Sequence, residues 1–291
     1  MLRWRLILGA LLIATLVGLA VWDHHTAPPG VWVTLPVLSL LTVAATQELL
    51  ALFAARELRP LAWPLYVVNL ALVAVNWLPI LVPQAKSWDF DASILAAAVL
   101  LLFLGEMRRY ERPGVVMERL ACGLLIVGYI GVLFAFLAKL RLLQAGAIGI
   151  PAILSLILIV KLGDTGAYTF GRLFGKHKMA PVLSPGKTLE GAAGGLFAAC
   201  FGGWLSGVWL LPVLTSGGGP ADYGRWLLYG LIVGLAGMFG DLAESLIKRD
   251  VGRKDSSTWM PGFGGVLDVV DSIIFAAPVA YWCWSCGLAG P

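Results

Sequence analysis

Residues 225–250 read RWLLYGLIVGLAGMFGDLAESLIKRD, and residues 266–282 read VLDVVDSIIFAAPVAYW. Each stretch is apolar for about the twenty residues that a helix needs to cross a bilayer. Toward one end each carries two acids three residues apart, Asp241 and Glu244 in the first, which closes on Asp250, and Asp268 and Asp271 in the second. A soluble amphipathic helix keeps a polar stripe along its whole length, whereas here apolar residues run all round. The pair therefore reads as two antiparallel membrane helices joined by a short loop, with carboxylates facing each other near that loop.

The rest of the chain repeats the pattern. Of 291 residues, 59% are hydrophobic and 13% charged, about half the charged share of an ordinary soluble domain, and the mean hydropathy is +0.86. The spacing predicts nine spans, near residues 4–22, 31–55, 61–83, 91–106, 115–138, 145–162, 191–214, 225–247 and 264–288. The first follows Arg3 and Arg5, is longer than a signal peptide's apolar core and has no clear cleavage signal after it, so it reads as a retained helix. The sixth carries Gly146, Gly149 and Pro151, which favour a tilt or a break. The expected fold is an all-α integral membrane protein, a polytopic helical bundle of about nine transmembrane helices with a cytoplasmic N-terminus.

That orientation follows from counting cations by side. With the N-terminus inside, sixteen of the 21 Lys and Arg fall on the cytoplasmic side and four (Lys86, Lys139, Arg141 and Arg225) outside, with Arg119 at the start of a span. The net charge of +4 is too mild to suggest a nucleic-acid partner. The cysteines, Cys122, Cys200, Cys283 and Cys286, lie in apolar surroundings with no histidine nearby, so the C-x-x-C of the last span reads as packing or lipid-facing thiols rather than a zinc site. Residues 1–160 read as transmembrane scaffold. Residues 161–291 read as the catalytic region of the same structural unit, with cytoplasmic loops at Gly163–Glu190 and Lys248–Phe263.

A charge within a span costs from about 3 to above 10 kcal/mol, so the four acids call for a function. Asp241 and Glu244 are three residues apart on one helix face, continued by Ser245 and Lys248; Asp268 and Asp271 have the same spacing on the next. Converging carboxylates in a low dielectric need a compensating cation, and all-oxygen ligation with room for phosphates suits Mg²⁺. Asp241 and Asp268 are the first candidates, then Asp271, then Glu244. The bland alternative is a structural ion network with Lys248, Arg249, Arg253 and Lys254. These four cations, followed by Pro261-Gly262-Phe263-Gly264-Gly265 at a helix start, make a plausible polyphosphate cradle.

The loop Gly163–Glu190 supplies a second constellation. Gly186-Lys187-Thr188 resembles the end of a Walker A loop, but Pro181 stands where the pattern needs glycine and no strand is expected before it. Lys187 remains a phosphate partner, Thr188 a donor and Ser184 a helix cap. Asp164 is open between a metal or nucleotide contact and a cap, and His177 reads as a surface histidine.

Together these residues resemble a known signature. The run Ser245-x-x-Lys248-Arg249-x-x-x-x-Lys254-Asp255, then Pro261-Gly262-x-Gly264-Gly265-x-x-Asp268-x-x-Asp271-Ser272, is similar to that of the CDP-diacylglycerol synthase (phosphatidate cytidylyltransferase) family. Asp164-Thr165-Gly166-Ala167-Tyr168 through Ser184-Pro185-Gly186-Lys187-Thr188-x-Glu190-Gly191 looks like its other hallmark. The likeness is close over about residues 160–275. Phe263 and Val269 stand where members commonly have His and Arg, which removes a proton carrier and a phosphate partner but none of the expected metal ligands.

The resemblance implies transfer of CMP from CTP to phosphatidic acid in phospholipid biosynthesis, with Mg²⁺ and a monovalent cation such as K⁺. It implies metal ligation by Asp241 and Asp268 with Asp271 close by, a catalytic set of Lys248, Arg249, Lys254 and Asp271, and substrate contacts from Asp164, Ser184, Lys187, Thr188, Ser245, Asp255, Gly264 and Gly265. It implies a cleft open sideways to the lipid bilayer, an active site facing the cytoplasm of a bacterial inner membrane, and a homodimer, for which Gly230-x-x-x-Gly234 offers a packing face. The chemistry agrees: a lipid phosphate is already an anion, so the task is to align two anions and neutralise the leaving pyrophosphate. CDP-alcohol phosphotransferases differ in acid spacing, CTP-dependent lipid kinases are closer in motif, and a cation transporter would place its acids at mid-membrane in several spans.

Overall fold

The computed structural model describes residues 18, 19, 22, 23, 26, 29–84, 89–111, 113–215, 222–257, 259 and 264–290. Among them are eight helices long and apolar enough to cross a membrane: α1 Thr34–Ala54, α2 Ala62–Leu81, α3 Phe90–Arg108, α4 Val116–Arg141, α5 Gly149–Phe174, α6 Leu189–Leu214, α7 Tyr223–Asp250 and α8 Val266–Ser285. They correspond to the second through ninth expected spans. The expected first span lies almost wholly outside the described residues, as do Pro261, Gly262 and Phe263.

Local chemistry sets the helix ends. Asp89 caps α3 by accepting from Ala92 N, and Asp222 caps α7 by accepting from Gly224 N and Arg225 N, which satisfies donors that have no intrahelical partner. The break anticipated near Gly146 falls between α4 and α5, where Gln144, Ala145 and Gly146 have φ of 49°, 55° and 92°. Such left-handed residues stop a helix. α4 and α6 each contain a π-helical turn, at Val127–Val132 and Ser206–Leu210.

Three expectations are corrected. α5 continues to Phe174, so Asp164, Thr165 and Tyr168 stand on a helix and not in a long loop. Hydropathy falls at Lys161 where polar residues begin, but Ala167 and Phe170 pack on Gly191, Gly194 and Gly195 of α6, which continues the helix. A Cβ on Gly166 would lie 2.5 Å from Ala198 Cβ. The remainder of that loop is a small antiparallel hairpin, β1 Lys178–Ala180 and β2 Ser184–Thr188, with Lys178 opposite Thr188. Ser184 is therefore a strand residue, and the cap of α6 is Thr188, whose Oγ1 accepts from Gly191 N at 3.1 Å.

The third correction concerns Gly230 and Gly234. Both face α6 of the same chain: a Cβ on Gly230 would lie 2.5 Å from Ala199 O, and one on Gly234 would run into Ala199 Cβ. The close-packing motif is used within the bundle, where small residues let backbones approach. α6 is thus wedged between α5 and α7, and α8 closes the group by packing on α7, α5, α4 and α1. A continuous buried core joins the two halves through Leu49, Leu52, Ile126, Phe134, Leu156, Leu267 and Ile274.

Candidate active site

At one end of this bundle α5, the hairpin, α6, α7 and α8 enclose a cavity of about 570 Å³, within the range of small-molecule sites. Its polar lining comes from Lys161, Asp164, Tyr168 and Arg172 of α5, Ser184, Lys187 and Thr188 of the hairpin, Asp241, Glu244 and Lys248 of α7, and Asp268 and Asp271 of α8. Two apolar helices therefore deliver their acids to one place, as the i, i+3 spacing requires.

The acids are cross-braced by lysines. Lys248 Nζ lies 2.6 Å from Glu244 Oε2 and 2.5 Å from Asp268 Oδ1, which ties α7 to α8. Lys187 Nζ lies 2.8 Å from Asp241 Oδ2, which ties the hairpin to α7. Lys161 Nζ reaches Asp164 Oδ2 at 3.3 Å and donates to Val269 O at 3.2 Å. Arg172 donates to the Tyr168 hydroxyl, 3.0 Å away. Glu244 is 1% exposed, and its Oε1 has no hydrogen-bond partner. Asp271 of α8 lies within hydrogen-bonding reach of Glu244, so a shared proton or a bound cation completes this pair of buried acids.

Asp268 is held from behind. Its Oδ2 accepts from Gly265 N at 2.7 Å, Ser256 N at 3.0 Å and Ser256 Oγ at 2.7 Å. The next two amides of α8, Val266 N and Leu267 N, donate at 2.8 Å to Glu48 Oε1 and Oε2. The first-turn donors that would attract a polyphosphate are thus already given to carboxylates, and Gly264 and Gly265 serve as the tight turn. Gly264 has φ +86°, and a Cβ on Gly265 would overlap Ser256 Oγ and Glu48 Oε2.

Of the residues singled out in the sequence, Asp164, Ser184, Lys187, Thr188, Asp241, Lys248, Asp268 and Asp271 line the cavity. Ser245 is buried, with Oγ 3.5 Å from Asp241 Oδ1. Arg249 turns away: it donates to Leu183 O at 3.3 Å and Arg253 O at 3.1 Å, pinning the hairpin to the end of α7. Lys254 and Asp255 are exposed beyond the cavity. Glu190 accepts from Lys176 N and contacts His177 Nδ1 at 2.6 Å, so it braces the hairpin. Sequence reasoning missed Glu48, Ser256, Lys161 and Arg172. Glu48 had a signal, as the one charged residue within α1, since a lone charge in a span calls for a partner.

Among the described residues no three potential metal ligands lie close enough to hold an ion alone. Mg²⁺ takes one or two carboxylates and completes its shell with water and substrate phosphates. The carboxylate oxygens of Asp241, Glu244, Asp268 and Asp271, gathered in one cavity, are donors of the kind such an ion takes.

The sequence profile of the cytidylyltransferase family matches residues 3–286. A phosphatidate cytidylyltransferase of Staphylococcus saprophyticus is 36% identical over 218 residues, 71% of this chain and 75% of that one. One from Staphylococcus haemolyticus is 34% identical over 263 residues, 87% and 95% of the two chains. One from Staphylococcus aureus is 42% identical over 158 residues, 54% and 55% of the two chains.

Proposed function

The chain belongs to the cytidylyltransferase family, and on that premise we propose that it transfers CMP from CTP to phosphatidic acid, releasing pyrophosphate and leaving CDP-diacylglycerol in the membrane. The observation that carries this reading is the cavity in which Lys187 and Lys248 meet Asp241, Glu244, Asp268 and Asp271. Cations of the kind that hold phosphate and acids of the kind that hold a metal line the same cavity.

The pairing of charges supports a metal. Lys161, Lys187 and Lys248 in the cavity are each already paired with an acid, so added positive charge favours the binding of two polyanions. Mg²⁺ supplies that charge when bound, and Asp241 and Asp268 would hold it, with Asp271 and Glu244 beside them. Lys187, released from Asp241, turns to a phosphate oxygen, and Lys161 and Arg172 of α5, in the same lining, receive the second anion. No general base is needed, because the attacking oxygen belongs to a phosphate that is already ionised. The residues work by aligning that oxygen with the α-phosphorus and the departing pyrophosphate.

The protein is integral to the membrane, and the excess of Lys and Arg at the cavity end supports a cytoplasmic active site in a bacterial plasma membrane. Any homodimer uses a face other than Gly230 and Gly234, which α6 covers. The reading is tested by coupling pyrophosphate release to an optical assay in detergent with CTP, phosphatidic acid and Mg²⁺. Release that requires the lipid, and is lost in Asp268→Asn, supports it; release without lipid, or none at all, rejects it.

A further inference from the structure

Glu48 sits in the first-half bundle, more than two hundred residues before the donors it meets at Ser256, Val266 and Leu267. It is 7% exposed and the one charged residue in α1. An ionised carboxylate inside a membrane helix persists only where it is well compensated, and here three donors converge on it. Val266 N and Leu267 N donate at 2.8 Å each and Ser256 Oγ at 3.0 Å. The first two are unpaired amides at the start of α8, where the helix dipole also favours an anion.

The same serine links Glu48 to the cavity. Ser256 Oγ lies 3.0 Å from Glu48 Oε2 and 2.7 Å from Asp268 Oδ2, and its one proton serves both carboxylates. Ser256 N and Gly265 N complete the shell of Asp268 Oδ2. One oxygen of Asp268 is thereby anchored while the other, Oδ1, faces the cavity and Lys248. Gly265 is bare because a side chain there would overlap both Glu48 and Ser256.

We propose that Glu48 is a positioning residue of the transfer reaction: through the first turn of α8 and Ser256 it fixes the rotamer of Asp268, so that Oδ1 is presented to a divalent cation. The inference rests on the transferase reading above. It gives the N-terminal helices a role in the chemistry without contact with substrate. It also commits the first-turn amides of α8 to carboxylates of the protein itself.

The test uses the full chain in detergent, as Glu48→Gln and Ser256→Ala. The amide of Gln keeps the shape but turns a donor toward one of the two backbone N–H groups. Thermal unfolding is followed against Mg²⁺ without nucleotide, and kcat is measured with CTP and phosphatidic acid. Loss of a residue that orients a metal ligand typically costs about 10–100-fold in metal affinity or activity. The Mg²⁺ midpoint of the melting shift is therefore expected to rise by about that factor in Glu48→Gln and in the same direction in Ser256→Ala. kcat is expected to fall while KM for phosphatidic acid stays near wild type. A purely structural cap would lower the melting temperature at every Mg²⁺ concentration and leave the midpoint in place.

Wild-type Mg²⁺ midpoints and kcat in both variants would overturn the inference, as would a wild-type protein whose melting does not respond to Mg²⁺. Should Glu48→Gln not fold, Ser256→Ala decides alone, because its side chain is small and its loss leaves the α8 amides on Glu48. A wild-type protein that responds to Mg²⁺ but makes no CDP-diacylglycerol would count against the transferase reading instead.

Discussion

Lys248 holds Glu244 and Asp268 with one ammonium group, and Lys187 holds Asp241. These two lysines differ in what they can release. Lys248 is wedged between two buried acids of neighbouring helices, whereas Lys187 rides on a hairpin and has one acid partner. Lys187→Ala is accordingly expected to lower kcat by about 10²–10³, the cost of removing one preorganised donor at a developing charge, with little change in melting temperature. Lys248→Ala is expected to lower both, because it leaves two buried carboxylates facing each other. Steady-state kinetics and thermal unfolding on the same preparations separate the two; equal effects on stability would contradict this division. The cavity's acids were legible in the sequence because a carboxylate in an apolar helix is too costly to keep without a partner or an ion. Arg249 and Lys254 misled because a cation near a site in sequence can turn to backbone carbonyls or to water, and spacing alone does not report that choice.

Helix pairs carry the next level of the account. The contact of α6 with α5 and α7 is made by glycines, and its tightness shows in how little room their missing side chains leave. A side chain on Gly234 would run into Ala199, so Gly234→Leu is expected to destabilise the protein by about 1–3 kcal/mol or more through overpacking, read as a fall in melting temperature in detergent. A substitution tolerated without loss would mean that the face is free for another chain. Element existence was readable from hydropathy, since each described span is matched by an apolar run. The limits of α5 were not, because a helix that outlasts its apolar run is continued by packing on α6, a tertiary cause. The hairpin was hidden for a related reason: Ser184-Pro185-Gly186-Lys187-Thr188 has the composition of a turn and becomes a strand only by pairing with Lys178–Ala180.

For the molecule as a whole, the ion pairs between distant segments respect the expected alternation of spans. Arg56 pairs with Asp250 at the cavity end. At the other end Arg141 pairs with Asp23, Lys139 with Asp91, and Arg225 donates to Gly287 O. Each contact joins segments that the positive-inside count puts on one side. The Asp23–Arg141 pair is 0% and 1% exposed at a separation of 2.5 Å, with Thr34 Oγ1 donating to Asp23 at 2.7 Å. Arg141→Met alone is expected to cost about 3–5 kcal/mol by stranding Asp23, and the double variant Asp23→Leu, Arg141→Met to recover most of it. Thermal unfolding of the single and double variants checks this, and additive losses would contradict it. The division into scaffold and catalytic halves, drawn from where polar residues crowd, left out Glu48, whose partners at Ser256, Val266 and Leu267 lie far along the chain and come together only in the folded bundle.

The central claim is that this cavity passes a nucleotide to a lipid phosphate. It is tested most directly by incubating the purified protein with phosphatidic acid, Mg²⁺ and CTP radiolabelled in turn at the α- and the γ-phosphate, then extracting the lipid. The expected result is α-label in the organic phase, γ-label in aqueous pyrophosphate, and neither product with Asp268→Asn. Label from the γ-phosphate in the lipid would make the protein a CTP-dependent kinase and contradict the account, and so would the absence of lipid label from both.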